Sequence, residues 1–198
     1  INGANDAPTL TATATNPTYT ENGTGSTLFS GAAISTIEAG QSITGLYVQV
    51  TNLANGNLEK LIIDGTTVNL TDQNSVTTST NGLSVAVAVS GTTATVTITH
   101  AGLSTALAQT LVNGMAYRND SESPTGASRT AILVGVRDSG GTSNGGIDTT
   151  TASVSSTVTL VSINDAPTLA GGPYALTGTT EDIPSTGVQI NTVLAGMA

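Results

Sequence analysis

Oxygen is the only metal-ligating chemistry this sequence offers in quantity. Thirteen Asp and Glu face four Lys and Arg, with one His and no Cys. At least 13 − 4 = 9 carboxylates therefore have no basic partner in the chain. Zinc asks for imidazole or thiolate, and too few such ligands exist. His100 reads instead as a packing residue at a strand end. Calcium takes roughly six to eight oxygens from carboxylates, carbonyls and water, and accepts them from separate loops. Solvation is the other explanation for an acidic surplus, and the positions of the acids discriminate. Paired carboxylates could in principle hydrolyse a glycoside. With four Tyr, one Phe and no Trp, however, the chain has no platform on which a sugar would stack, and no enzyme is expected. The Gly-rich stretch Ser139–Gly146 precedes no helix and lacks a following Lys, so it does not read as a phosphate loop. Asp64 before Gly65 reads as a turn residue, Asp148 as a turn acid, and Glu59 and Asp72 as solvated loop acids.

The elements that must position these acids repeat along the chain. Asn-Asp-Ala-Pro-Thr-Leu occurs at 5–10 and again at 164–169, an offset of 164 − 5 = 159 residues. Tyr19-Thr20-Glu21-Asn22 is echoed by Thr179-Thr180-Glu181-Asp182. Self-similarity at a fixed period marks a tandem array. Residues 1–10 then hold a junction and the start of a first strand, and 5–163 a complete repeat. Residues 164–169 form the next junction, and 170–198 open a further repeat as a partial strand or hairpin. On this reading the chain is an excerpt of something much longer.

Period-two alternation predicts strands at Leu10–Thr15, Leu28–Ile34 and around Leu46, Val48 and Val50. Lys60–Ile63 and Thr66–Leu70 flank Asp64-Gly65, a two-residue hairpin signal. Leu83–Val89 and Ala94–His100 flank Ser90-Gly91. Leu103, Leu107 and Leu111 recur at helical spacing, so one short helix is expected over Ser104–Val112, capped by Ser104 and ended by Asn113-Gly114. Strands resume at Met115–Arg118, Thr130–Arg137 and Ala152–Ile163. The expected fold is all-β, an antiparallel Greek-key sandwich with that one helix.

Strand parity sorts the loops. If the first strand runs from an upper to a lower end, Asn5, Asp6, Glu38 and Asp138 gather at the top. Glu21, Asp120, Glu122, Asn164 and Asp165 gather at the bottom. Carboxylates brought together repel unless a cation pairs them or a proton neutralises them. Each cluster, helped by backbone carbonyls, is a candidate calcium shell.

A net charge of −9 argues against nucleic acid and anionic membranes as partners. The absence of Cys fits an intracellular protein or a bacterial exported one. No apolar run approaches the length of a membrane-spanning helix, and no cleavable signal is visible.

At these residues the chain resembles the cadherin-like repeats of large bacterial surface adhesins of the RTX type. Tyr19-Thr20-Glu21-Asn22 is similar to the Glu-Asn step after the first cadherin strand. Val136-Arg137-Asp138-Ser139-Gly140 is similar to the Asp-x-Gly motif before the last, and Ile163-Asn164-Asp165-Ala166-Pro167 to the inter-repeat linker. Glu38-Ala39-Gly40-Gln41, Ile63-Asp64-Gly65 and Asp138-Ser139-Gly140-Gly141 resemble the adhesin subfamily. The resemblance implies calcium at the junctions, stiffening a row of modules that holds an adhesive tip away from an extracellular bacterial surface after type I secretion. It makes Glu21 and Asp165 ligands of the lower junction, and Asp138 with Asn5-Asp6 ligands of the upper. Departures are visible. Thr36-Ile37-Glu38 carries one acid where the family has two, Ser162 replaces a further Asp, and an Asp-Arg-Glu motif is missing, leaving Asp120 and Glu122. About one ion per junction is therefore expected. The partners implied are neighbouring repeats of the same chain, calcium, and host or neighbouring-cell surfaces contacted through other domains. The alternatives are a ligand- or carbohydrate-binding module of such an adhesin, and a spacer in a secreted multi-domain enzyme.

Overall fold

A computed structural model describes residues 3–126 and 128–165. Ile1–Ile163 form one compact unit, and a second begins at Asn164. The strand or hairpin expected over 170–198 lies outside the described residues.

The strands in chain order are β1 (Thr9–Ala14), β2 (Thr18–Thr20), β3 (Ser26–Thr27), β4 (Phe29–Ser35), β5 (Ile43–Thr51), β6 (Glu59–Ile63), β7 (Thr66–Asn69), β8 (Ser75–Thr77), β9 (Ser84–Ser90) and β10 (Thr93–Leu103). Helix α1 (Thr105–Gly114) follows, and then β11 (Ala116–Asn119), β12 (Ser128–Asp138) and β13 (Thr149–Val161). A seven-stranded sheet runs β2-β13-β12-β5-β10-β9-β8, a four-stranded sheet runs β3-β11-β6-β7, and β1 pairs with β4. Every pairing is antiparallel except β13 with β2. The architecture is mostly β with α1 as its one α-helix among the described residues, consistent with an all-β sandwich.

The pattern that predicted the strands also fills the core. In β5, Leu46, Val48 and Val50 point inward while Tyr47, Gln49 and Thr51 stay half-exposed. In β10, Ala94, Val96 and Ile98 do the same. They meet Leu61, Ile63, Val68 and Tyr117 of the smaller sheet in a single hydrophobic cluster. Small branched side chains suffice because they interdigitate closely across facing sheets.

The turns follow their residues. Asp64 and Gly65 take φ of 54° and 72°, the doubly positive φ of a two-residue hairpin turn. Asp64 also ties the turn down, accepting from the Thr78 hydroxyl at 2.6 Å and the Asn81 amide at 2.8 Å. Ser104 caps α1 by accepting from the Leu107 amide at 3.2 Å. Asn113 accepts from the Ala32 amide at 2.9 Å, anchoring the end of α1 to β4. His100 lies in β10, where its Nδ1 accepts from the Gly102 amide at 2.9 Å.

Three features depart from the sequence expectation. Strands β2, β3 and β8 hold only two or three residues each, too few for alternation to register. The first strand in fact changes sheets: after β1 the chain turns at Asn16-Pro17 and continues as β2 along β13. Asn16 makes the switch with φ 49°, its amide donating to the Ser156 hydroxyl oxygen at 3.2 Å and its Oδ1 accepting from the Thr157 amide at 2.9 Å. Direction is preserved, so Glu21 still reaches the lower end. Glu59, expected in solvent, is instead fully buried at the start of β6. Its carboxylate meets the Arg129 guanidinium from the opposite sheet at 2.7 Å and accepts from the Tyr117 hydroxyl at 2.8 Å. It also accepts the Ala54 and Asn55 amides at 2.6 and 2.7 Å. Burial alone would raise the Glu59 carboxyl, but Arg129 and these amides outweigh it and hold the group below its ordinary value.

Candidate functional site

The upper end is built where β12 stops, where β4 turns into β5, and where the chain enters β1. Asp138 closes β12 and is 2% exposed. Its Oδ1 accepts from Asn5 Nδ2 at 3.1 Å and the Gly140 amide at 2.9 Å. Asn5 is itself held on three sides. Its Nδ2 donates to the Ile147 carbonyl at 2.7 Å, its carbonyl accepts from the Ile147 amide at 2.9 Å, and its Oδ1 accepts from Gln41 Nε2 at 2.7 Å. Gly140 explains itself here: a Cβ at that position would fall 2.0 Å from Asn5 Oδ1. The glycine that the sequence offers in Asp138-Ser139-Gly140 is a space for Asn5.

Glu38 reaches the same place through a strained turn. Its amide donates to the Thr36 carbonyl at 2.8 Å across Ile37, whose φ is 67°. A β-branched residue at positive φ costs on the order of 1–2 kcal/mol, and the strain aims Glu38 Oε1 at the Asp6 amide, 2.7 Å away. Three oxygens at this end are buried without any hydrogen-bond partner: Asp138 Oδ2, Glu38 Oε2 and Gln41 Oε1. A cavity of about 280 Å³ opens beside them, lined in part by Gly3, Ala4, Asn5, Glu38 and Gln41. Gln41 is the residue that charge counting misses, because a neutral amide adds nothing to an acid tally; its one sequence signal is its place in Glu38-Ala39-Gly40-Gln41. The Asp6 side chain stays exposed.

The lower end gathers on β2, β11 and the close of β13. Glu21 follows β2 and is 2% exposed. Its amide donates to the Val161 carbonyl at 2.9 Å, and its Oε2 accepts from the Ile163 amide at 2.9 Å. Its other oxygen, Oε1, is buried without a partner. A carboxylate oxygen of exposed Glu122 lies within 4.8 Å of one from Glu21. Asp120 is nearby but committed elsewhere. It pairs with Lys60 Nζ and with Arg118 Nε at 2.5 Å, and these two cations, working against partial burial, hold its carboxyl below the ordinary range. A cavity of about 180 Å³, lined by Tyr19, Asn22, Asn119, Asp120 and Glu122 among others, adjoins it. Tyr19 fixes this floor by donating to the Asn119 carbonyl at 2.7 Å, and its ring stands edge-on to Tyr117 at 5.8 Å. Asn164 and Asp165 open the second unit, where Asn164 Nδ2 donates to the Asp165 carbonyl at 3.3 Å.

Of the residues grouped by strand parity, hydrogen bonds connect Asn5 to Asp138 and the Asp6 amide to Glu38, while Glu21 and Glu122 have carboxylate oxygens within 4.8 Å of each other. None of the three ion pairs among the described residues involves Glu21, Glu38, Glu122 or Asp138. Each end therefore presents a buried carboxylate with an unpartnered oxygen and, among the described residues, no ion pair of its own. That set suits a hard cation such as calcium and no soft metal. Comparison with protein-family models, with curated proteins and with solved structures finds no match.

Proposed function

We propose that this domain is a calcium-stiffened spacer repeat, a cadherin-like Greek-key sandwich within a secreted bacterial cell-surface adhesin. The observation that carries the reading is the pair of buried, half-partnered carboxylates at opposite ends, Asp138 above and Glu21 below. A buried carboxylate without a counter-charge is costly, and a cation at each end removes that cost. At the upper end Asn5, Asp6, Glu38, Gln41 and Asp138 would supply the oxygens. At the lower end Glu21 and Glu122 would begin a shell.

An ion so placed ties together loops that otherwise meet only through hydrogen bonds, and it sits where one repeat hands over to the next. The chemical consequence is mechanical: a jointed row of sandwiches becomes a stiff rod, and adhesion is served indirectly by holding a distant binding domain away from the cell. Calcium titration of the 198-residue chain by calorimetry, paired with melting in calcium, magnesium and chelator, tests this. Calcium is expected to bind and to raise the melting temperature, with magnesium doing less because it surrenders its water reluctantly. Equal melting temperatures in calcium and chelator would remove the metal from the account.

A further inference from the structure

The residues of the upper end differ in what they leave unbonded. Asp138, Glu38 and Gln41 each keep one buried oxygen without a partner. Asn5 keeps nothing back. Its Nδ2 uses both hydrogens, donating to Asp138 Oδ1 at 3.1 Å and to the Ile147 carbonyl at 2.7 Å. Its Oδ1 accepts from Gln41 Nε2 at 2.7 Å. By engaging Asp138 Oδ1 and Gln41 Nε2, Asn5 decides which oxygen of each neighbour is left over, Oδ2 and Oε1. Only an amide can donate to a carboxylate and accept from a second amide in this way. Asp in its place would add charge but bring no donor, and would set one carboxylate against another.

The seat is shaped for that amide. Asn5 lies between two glycines. A Cβ on Gly146 would meet the Asn5 backbone nitrogen at 2.9 Å and its Cβ at 3.0 Å. A Cβ on Gly140 would fall 2.0 Å from Asn5 Oδ1, 2.2 Å from its Cγ and 2.6 Å from Gln41 Nε2. Gly140 is not at positive φ, so alanine suits its backbone, and the obstruction is the Asn5–Gln41 pair alone. We infer that Asn5, seated on Gly140, is a positioning residue: whatever its own oxygen lends, it aims Asp138 Oδ2 and Gln41 Oε1 at one cation. The cation is taken from the spacer reading. The seating belongs to the metal-free chain, so the two ideas can fail separately.

The test uses Asn5→Asp, Asn5→Ala, Gly140→Ala and the last two combined, each in the 198-residue chain. In chelator, Gly140→Ala is expected to lower the melting temperature by about 2 °C or more, because Asn5 and Gln41 must leave their places. In the Asn5→Ala background the same change should cost less than about half as much, as residues in contact are not additive. Additive losses would overturn the seating, and this arm needs no metal. In calorimetric titration, Asn5→Asp is expected to weaken calcium binding about 10- to 100-fold, the range for a residue that orients ligands. Gly140→Ala should weaken it too, although it removes no oxygen. A residue acting only as a ligand predicts the reverse for Asn5→Asp, since calcium affinity rises with ligand charge. Calcium affinity in Asn5→Asp equal to or above that of the wild type would overturn the positioning role. If the wild-type chain gives no calcium response while the chelator cycle is non-additive, the calcium reading falls and the seating of Asn5 stands.

Discussion

Replacing Asp138 by Asn separates a metal ligand from a structural acid, because the two roles predict shifts of opposite sign. Asp138 is buried, its Oδ1 is satisfied by Asn5 and Gly140, and its Oδ2 has no partner. Asn keeps an oxygen for those two donors, removes the charge, and offers an NH2 at an end where Glu38 Oε2 and Gln41 Oε1 both lack donors. In chelator, relief of one unsatisfied buried charged atom contributes about 1 kcal/mol or more. At this domain size that amounts to a rise of roughly 2–4 °C in melting temperature. In calcium at a hundred times the dissociation constant, the wild-type site contributes about 2.7 kcal/mol, which the variant forfeits. Set against the gain of about 1 kcal/mol, that loss lowers its melting temperature by roughly 3–7 °C relative to wild type in the same buffer. Differential scanning calorimetry of both proteins in both buffers gives four numbers and one sign pattern. A shift in the same direction with and without calcium would refute the argument that this carboxylate is held unpaired for a cation.

The buried ion pair offers a second measurement. Arg129→Met strands the Glu59 carboxylate inside the sandwich and should cost about 3–5 kcal/mol by urea unfolding, whereas adding Glu59→Leu to it should recover most of that loss. Stability should also fall with acid in a defined direction. Glu59 and Asp120 are held below their ordinary values of 4.5 and 3.8 in the folded domain, so the unfolded chain takes up these protons first. Their contribution is complete above about pH 4.5 and is lost as pH drops through the folded values. Melting in chelator from pH 7 to 3 should show the decline, and Glu59→Gln should flatten it. Ile37→Gly in the 198-residue chain should raise stability by about 0.5–1 kcal/mol, the relief of positive φ outweighing the added freedom of glycine. A destabilisation there would mean that Ile37 is not strained.

What was legible in the sequence is whatever depends on near neighbours along the chain. Period-two alternation located β5, β9 and β10 because each strand's burial is decided residue by residue. Asp64-Gly65 gave its turn because only particular residues tolerate two positive φ values in succession. Ser104 gave the helix start because a cap is a three-residue event. Parity even placed Asn5, Glu38 and Asp138 at one end, since counting antiparallel strands needs no distances.

Partner choice across the core was not legible. Glu59 looks like any loop acid until β12 crosses from the other sheet and sets Arg129 against it, 70 residues later in the chain. Asp120 looks as free as Glu122 until Lys60 and Arg118 claim it. Gln41 enters the upper cluster only because Asn5, far away in sequence terms for a β-protein, folds back between Gly140 and Ile147. Local conformational preference fixes where strands and turns fall. Which carboxylate ends neutralised and which stays buried with an unpartnered oxygen depend on contacts between strands that only the closed sandwich brings together.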